Sequence, residues 1–288
     1  MTKAVLLLEC ADRKGLVAAI MNFLVAEFDA NILHAGQHQD AERGRFFMRV
    51  EFEGSPAGRD DGSLQEVFGE RFRHVAEEFQ MGWKLAVSDQ RLRVCLFVSQ
   101  HLHCLADLLQ RYEAGELECE IPLIIGNHPD GERLSNFYGV PFHTLPIRNG
   151  NKAEVEAEQM RLLQEHRVDL VVLARYMQIV SADFVEQWRM RIINVHHSFL
   201  PAFVGSKPYH AAFQRGVKLI GATSHYVTAD LDEGPIIDQD VTRVTQGDTI
   251  PDLIRKGRDL ERVVLSRAVR WHLEHRILHY DNKTVIFD

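Results

Sequence analysis

Three polar residues with complementary chemistry stand in two short segments of the C-terminal half of the sequence. Asn194 and His196 end the apolar run IINVH, and Asp232 lies in the acidic segment 229–234. An amide donor beside an imidazole suits a reaction at a carbonyl group, because the amide stabilises the developing oxyanion while the imidazole moves a proton. A carboxylate nearby can hold the imidazole in one tautomer or orient and activate a water molecule.

Each of these signals also has a purely structural interpretation. Asn194 and His196 are two apart on a predicted strand, so their side chains point to the same side, but a strand-end Asn and His can also satisfy local backbone groups. The acidic segment that contains Asp232 can equally be a solvated turn. The residues alone therefore leave both interpretations open.

Residues 89–288 show alternating strand and helix patterns, and these predict the elements that position the three residues. Strands are predicted over 93–98, 121–127, 143–145, 169–174 and 192–196, with helical patterns between them, which favours a doubly wound, mostly parallel sheet. Two longer strands, 219–227 and 235–244, form a predicted hairpin, and a long helix follows over 251–275. Since ligands bind at the carboxyl ends of parallel strands, Asn194 and His196 are expected to face a crevice there.

The N-terminal segment has a different order of elements. The patterns predict a strand over 3–10, a helix over 15–28, a strand over 31–37, a half-buried strand around Phe46–Phe52 with period-two alternation, a helix, and a strand over 83–87. Ser63 and Glu66 have the spacing of a capping box at the start of the second helix. This βαββαβ order is typical of a ferredoxin-like domain, so the sequence predicts an α/β protein of two domains, 1–88 and 89–288.

Composition and charge restrict the class of protein. The chain has 288 residues, of which 45% are hydrophobic and 26% charged, and its formal net charge is -8. That charge repels a polyphosphate, so nucleic acid is not an expected partner. The N-terminal apolar run is too short for a signal peptide, no stretch is long enough for a membrane span, and the four cysteines form no CxxC pair. The expectation is a cytoplasmic protein without a membrane partner.

A family resemblance rests on three motifs: Asn194-x-His196-x-Ser198-x-x-Pro201, then Gly221-Ala222-Thr223-x-His225, then Asp232-x-Gly234-Pro235. Together they resemble the folate-dependent formyltransferase family over residues 91–275. The resemblance implies a formyl folate as the ligand, no other cofactor and no metal, with Asn194, His196 and Asp232 as the catalytic trio. It further implies folate contacts at Asp230 and along the edge formed by Tyr176, Met177, Gln178, Ile179 and Val180. The apolar members of that edge have core packing as their alternative role.

The segment after the first strand of the second domain separates branches of this family. Members that act on a ribonucleotide carry a glycine-rich turn there, which binds phosphate, whereas residues 99–104 read SQHLHC. Bulky side chains in that place imply water as the formyl acceptor and resemble the deformylase branch, which hydrolyses 10-formyltetrahydrofolate to formate and tetrahydrofolate and so supplies formate for one-carbon and purine metabolism. One alternative is a formyltransferase acting on an amine, and another is a folate-binding or amino-acid-sensing protein without catalysis.

The first domain resembles an ACT domain at Asp12, Gly15, Leu16, Asn31 and Ile32. The resemblance implies a small amino acid as an effector, and edge pairing between such domains implies a homo-oligomer. Gly15 and Asn31 have a structural alternative, since both residue types suit left-handed turns. A metal site is a further hypothesis for the cluster of His101, His103, Cys104, Cys119 and His128, but its spacings match no known ligand pattern, so no metal is expected.

Overall fold

The computed structural model describes residues 2–57, 63–88, 90–202 and 208–288. The chain forms two compact units, the first from Met1–Arg91, His275–Tyr280 and Val285–Asp288, and the second from Leu92–Glu274 and Asp281–Thr284. Most of the C-terminal tail thus belongs to the first unit, whereas the sequence analysis placed the whole tail in the second domain. The assignment of a regulatory role to one domain and a catalytic role to the other stays a prediction.

The first unit contains a four-stranded antiparallel sheet and two helices. Its strands lie in the order β2-β3-β1-β4, which confirms the ferredoxin-like arrangement. Ser63 and Glu66 form the predicted capping box, since each residue's side chain accepts a hydrogen bond from the backbone N–H of the other. In chain order the elements are β1 (Thr2–Ala11), α1 (Leu16–Phe28), β2 (Asn31–Asp40), β3 (Arg45–Gly54), α2 (Leu64–Phe79) and β4 (Gly82–Val87).

The prediction that β3 is half-buried was wrong. Phe46, Met48, Val50 and Phe52 face the helices as expected, but Phe47 on the opposite face is also completely buried. The reason is that apolar residues of the C-terminal tail cover this face of the sheet, which also carries Leu7 of β1. The residues that pack there are Val5, Leu7, Phe47, Leu278, Tyr280, Val285 and Phe287.

The second unit is built on a seven-stranded sheet in the order β11-β10-β9-β8-β5-β6-β7. The five strands from β9 to β7 are parallel, and helices lie between them in the chain, as predicted. The elements are β5 (Leu92–Val98), α3 (His103–Glu113), β6 (Cys119–Gly126), a 3₁₀ turn (Pro129–Gly131), α4 (Glu132–Phe137), β7 (Phe142–Thr144), α5 (Lys152–Glu165), β8 (Leu170–Leu173), α6 (Ala182–Gln187) and β9 (Ile192–His196).

An antiparallel extension completes this sheet. Strands β10 (Leu219–Tyr226) and β11 (Ile236–Arg243) form the predicted hairpin, and β10 also pairs with β9 in antiparallel register. Helix α7 (Pro208–Arg215) lies between β9 and β10 in the chain. The 24-residue helix α8 (Ile250–Leu273) follows β11 and packs against β9, β10 and β11. A last strand pair, β12 (Ile277–Tyr280) and β13 (Lys283–Ile286), ends the chain.

The order of the strands creates a crevice in the second unit. The chain leaves β5 toward β6 and β7 on one side and returns to β8 and β9 on the other side, so the direction of winding reverses between β5 and β8. Segments that leave neighbouring strands in opposite directions open a cleft at the carboxyl ends of those strands. The residues after β5, β8 and β9 lie at this edge.

None of the described helices is both long enough and apolar enough to cross a membrane.

Candidate active site

The pairing of β9 with β10 brings the first group of polar side chains together. Asn194 lies directly opposite His225, and His196 lies opposite Thr223. Since alternate residues of a strand face the same side, Asn194 and His196 project together toward one face of the sheet. The Asn194 amide nitrogen lies 3.2 Å from Nε2 of His225.

The loop between β10 and β11 brings Asp232 to the same place. One carboxylate oxygen of Asp232 lies 3.1 Å from Nδ1 of His196, and the other lies 3.6 Å from Nε2 of His225. Asp232 has a left-handed backbone with φ 57°. Gly234 lets the loop approach β10, because a Cβ on this residue would lie 1.7 Å from the Tyr226 carbonyl oxygen. The sequence-predicted trio is therefore adjacent in space.

The electrostatics of this group favour a charged carboxylate. The hydrogen bond from His196, followed by the effect of the His225 ring nearby, holds the pKa of the Asp232 carboxyl well below its usual range. Asp232 is thus an anion at neutral pH, and it accepts a hydrogen bond from the N–H at Nδ1 of His196. The other ring nitrogen of His196, Nε2, is buried and has no hydrogen-bond partner among the described residues. This nitrogen is left for a ligand.

The neighbouring His197 cannot take over the role of His196. Burial, followed by the positive charge of Arg175, lowers the pKa of His197 to about 4. At neutral pH the His197 ring is therefore uncharged, and it is a poor general acid. Its ring lies 5.0 Å from the His196 ring, centroid to centroid.

His225 is a member of the site to which the sequence analysis assigned no role. The Tyr226 carbonyl lies 2.9 Å from Nδ1 of His225, so this nitrogen carries a proton and donates it. In the neutral ring Nε2 is then an acceptor for one N–H of the Asn194 amide, which leaves the second N–H for a ligand. The motif that contains His225 was visible in the sequence, but its contact with Asn194 depends on the register of two strands.

The His225→Phe variant is expected to lower kcat by about ten- to a hundredfold, with a nearly unchanged KM for the substrate. Phenylalanine fills the space but cannot accept the Asn194 N–H, so the amide is free to rotate away from the reacting carbonyl. Steady-state kinetics checks this. His225→Gln, whose amide oxygen can accept the same hydrogen bond, should lose less, and a parental kcat for His225→Phe would contradict the positioning role.

A second polar network holds the loop that follows β9. The Thr223 hydroxyl donates to the Ser198 carbonyl at 2.9 Å and accepts the backbone N–H of Leu200 at 3.1 Å. The Gln239 amide donates to both Thr223 and the Leu200 carbonyl. Thr223, Ser198 and Leu200 are buried, and these hydrogen bonds fix the path of residues 198–201. The sequence analysis quoted Thr223 but did not predict this contact.

The predicted folate edge after β8 is held by a residue of the β5 end. The Ser99 hydroxyl accepts the backbone N–H of Met177 at 2.9 Å and donates to the Asn127 side chain at 2.6 Å. Ser99 also donates its own N–H to the Arg175 carbonyl. Both Ser99 and Asn127 are buried, so they connect the ends of β5, β6 and β8 rigidly.

The side chains of this edge divide into two groups. Met177 and Ile179 are largely exposed, with 51% and 62% of their surface accessible, which argues against core packing as their role. Tyr176 is buried, packs edge-to-face on Phe97 and accepts a hydrogen bond from Gln159, so a folate contact at this position would involve its main chain. Val180 packs against the core, Gln178 is half-buried, and the side chain of Asp230 is exposed in the β10–β11 loop.

The five residues of the metal hypothesis do not come together as one group. Among the described residues, only His103 and Cys104 of that set join a cluster of ligand atoms within 4.8 Å of one another, and its third member is Glu261 of α8. The Arg175 guanidinium lies 3.3 Å from the Glu261 carboxylate, and burial raises the pKa of the Cys104 thiol well above its ordinary value. A resident positive charge and a protonated thiol both disfavour a cation here.

Comparison with known proteins supports one family. Residues 92–269 match the model of the Formyl transferase family. A curated relative from Synechocystis sp., named formyltetrahydrofolate deformylase, is 52% identical over 284 residues, which cover 99% of this chain and 98% of the relative. A relative of the same name from Bacillus subtilis is 48% identical over 287 residues, which cover 99% of this chain and 94% of the relative. The crystal structure of a formyltetrahydrofolate deformylase from Pseudomonas syringae pv. tomato has a TM-score of 0.94 at 46% identity, covering 100% of this chain and 95% of that one.

Proposed function

This chain belongs to the formyltetrahydrofolate deformylases, and from this membership we propose how its residues hydrolyse 10-formyltetrahydrofolate to formate and tetrahydrofolate. The enzyme is a hydrolase with a folate substrate. The proposal assigns the chemistry to Asn194, His196 and Asp232. One observation carries it: Nε2 of His196 is buried and unpartnered among the described residues, while its Nδ1 is held by Asp232.

The first step is the attack of water on the formyl carbon. The second N–H of the Asn194 amide donates to the formyl oxygen and stabilises the negative charge that develops there. Nε2 of His196 accepts a proton from the attacking water, and the Asp232 carboxylate stabilises the imidazolium that results. The sequence analysis left open whether Asp232 holds the imidazole or activates the water. Both oxygens of Asp232 face imidazole rings, which favours His196 as the group that takes the proton.

The second step is the collapse of the tetrahedral intermediate. His196 donates the same proton from Nε2 to N10 of the folate, the bond between N10 and the formyl carbon breaks, and tetrahydrofolate leaves as a neutral amine. The formyl group departs as formic acid, which loses its proton to solvent. His196 returns to the neutral form with its Nδ1–H on Asp232, so the cycle closes without a cofactor or a metal.

Several finer assignments belong to the same proposal. The folate ring lies along residues 176–180, where Met177 and Ile179 present apolar surface, and Asp230 contributes from the β10–β11 loop. The N-terminal unit binds a small amino acid as a regulator, and copies of the chain assemble as a homo-oligomer. The enzyme acts in the cytoplasm, in keeping with four cysteines that form no disulfide bond in the described part of the chain.

The experiment that tests the reaction is a formate assay without any amine acceptor. We expect purified enzyme to release formate and tetrahydrofolate in equal amounts from 10-formyltetrahydrofolate and water alone. Strict dependence on an added amine would instead support the rival transferase, and tight folate binding without turnover would support a binding protein. Repeating the assay with single amino acids tests the proposed effector site.

A further inference from the structure

The turn of the last strand pair contacts the loop between β10 and β11. This turn, here called the hairpin tip, comprises Asp281–Thr284 at the junction of β12 and β13 and belongs to the second unit. The Asn282 amide donates a hydrogen bond to the Glu233 carbonyl at 2.9 Å, and the Thr284 hydroxyl donates to the Ile236 carbonyl at 2.6 Å. Neither side chain has a role in the mechanism above.

The two carbonyls flank the residues at which the loop meets β10. Glu233 directly follows Asp232 in the chain, and Ile236 is the first residue of β11. Between them, the Pro235 carbonyl accepts the backbone N–H of Tyr226 at 2.9 Å. The chain after Asp232 is thus held both by β10 and by the hairpin tip.

Packing of side chains does little to fix this loop. Asp230, Leu231 and Glu233 are exposed, and 59% of the Leu231 surface is accessible. Asp232 itself has a left-handed backbone, with φ 57°, which a residue other than glycine keeps only when its surroundings hold it there. Hydrogen bonds to the main chain of the loop must therefore supply much of the restraint.

The hairpin tip is suited to supply that restraint, because the residues on both sides of it are packed. The Tyr280 ring lies 4.5 Å from the Phe47 ring, centroid to centroid, and the Tyr280 hydroxyl donates to Asp40. After the tip, Val285 and Phe287 are buried. A donor on an ordered hairpin loses little conformational entropy when it binds a carbonyl, so its hydrogen bonds restrain the loop better than those of a mobile tail.

We propose that Asn282 and Thr284 are positioning residues that keep the catalytic carboxylate of the β10–β11 loop in place. They hold the loop so that Asp232 stays within hydrogen-bonding distance of His196. The inference rests on the proposed function, in which that contact sets the tautomer of the imidazole. Both side chains act through the main chain of the loop and contact no atom that reacts. When the loop is released, part of the enzyme population has Asp232 away from His196, and that part does not turn over.

The test removes both donors at once, because each hydrogen bond is near the surface and contributes a factor of only about three to ten. Asn282→Asp keeps the size of the side chain but has no N–H, and Thr284→Val keeps the size but has no hydroxyl. We expect kcat for formate release by the double variant to fall at least about tenfold, with a KM for the folate within about threefold of the parent. The KM changes little because the folate edge after β8 is intact. Steady-state assays of 10-formyltetrahydrofolate without an amine measure both constants.

Two control variants separate the lost hydrogen bonds from damage to the hairpin. Lys283 is exposed between the two donors, so Lys283→Ala should keep the parental kcat. Asn282→Asp combined with Thr284→Ser restores the hydroxyl, and its kcat should lie between those of the parent and the double variant. Circular dichroism checks that each variant is folded.

Coupling to Asp232 is a readout that a merely structural role would not produce. In an Asp232→Asn enzyme the carboxylate that the hairpin tip positions is already gone. Adding Asn282→Asp and Thr284→Val to that enzyme should therefore lower kcat by less than about twofold further. A general disturbance of the second unit would instead multiply the two losses.

A parental kcat in the folded double variant, or the full additional loss in the Asp232→Asn background, would overturn this inference alone. A parent enzyme that releases no formate without an amine, or an Asp232→Asn enzyme with the parental rate, would instead overturn the proposed function.

Discussion

The Asp232→Asn enzyme is expected to release formate about 10³-fold more slowly than the parent, with little change in KM for the folate. The carboxylate accepts the Nδ1 proton of His196 at 3.1 Å and thereby leaves Nε2 without a proton. An asparagine amide can instead donate to Nδ1, which moves the His196 proton to Nε2. That nitrogen can then no longer accept a proton from water.

The pH dependence of this loss follows from the titration of Asp232. The hydrogen bond from His196, together with the His225 ring nearby, keeps the pKa of Asp232 well below its ordinary value, so the parent carboxylate is charged throughout an assay between about pH 5 and pH 9. The loss in Asp232→Asn should therefore be present at every pH in that range. Comparing kcat against pH for both enzymes measures it.

The matched control lies in the same loop. Glu233 is exposed, and Glu233→Gln removes the same charge without touching an imidazole, so its kcat should stay close to the parent. An Asp232→Asn enzyme within about tenfold of the parent would rule out Asp232 as the group that orients His196.

The His196→Ala enzyme is expected to lose about 10³-fold in kcat, because no other side chain of the group can move a proton between water and N10. His197 is adjacent, but its pKa of about 4 keeps it neutral. His225 has its Nδ1 proton engaged by the Tyr226 carbonyl and its Nε2 beside Asn194. Single-turnover measurement of formate release separates this loss from any change in folate binding.

Chemical rescue distinguishes a proton shuttle from a structural role. Free imidazole should restore part of the activity of His196→Ala, because the deletion leaves space beside Asp232 for a ring of the same chemistry. Imidazole should not restore Asp232→Asn, in which the ring is present but its tautomer is wrong. Equal rescue of both variants by imidazole would be inconsistent with the assigned roles. The same holds if imidazole rescues neither variant and His196→Ala retains the parental rate.

Local sequence patterns sufficed to predict most of the elements. Period-two and helical spacings predicted the strands and helices to within a few residues, and Ser63–Glu66 predicted a capping box that forms as expected. The failure at β3 has a clear reason. Alternation reports only what a strand presents locally, whereas Phe47 is covered by Val285 and Phe287, which come from the far end of the chain.

The active-site residues also differ in how far local sequence identifies them. Asn194 and His196 were identifiable because they share a strand, and two residues that are two apart on a strand must face the same side. Asp232 required the motif resemblance, since a carboxylate in a loop has no fixed direction until the loop packs. Gly234 provides that packing by its close approach to Tyr226.

The amino-acid sequence by itself determined the order of the elements, the residue types at the strand ends and the absence of a glycine-rich turn after β5, because each of these is a property of neighbouring residues. Only the tertiary structure decided that His225 holds the Asn194 amide and that His103, Tyr209 and Arg175 together occupy Glu261. Those contacts join residues separated by much of the second unit. Their distances are set by strand register and by the packing of α8 on the sheet, which no short segment of the sequence specifies.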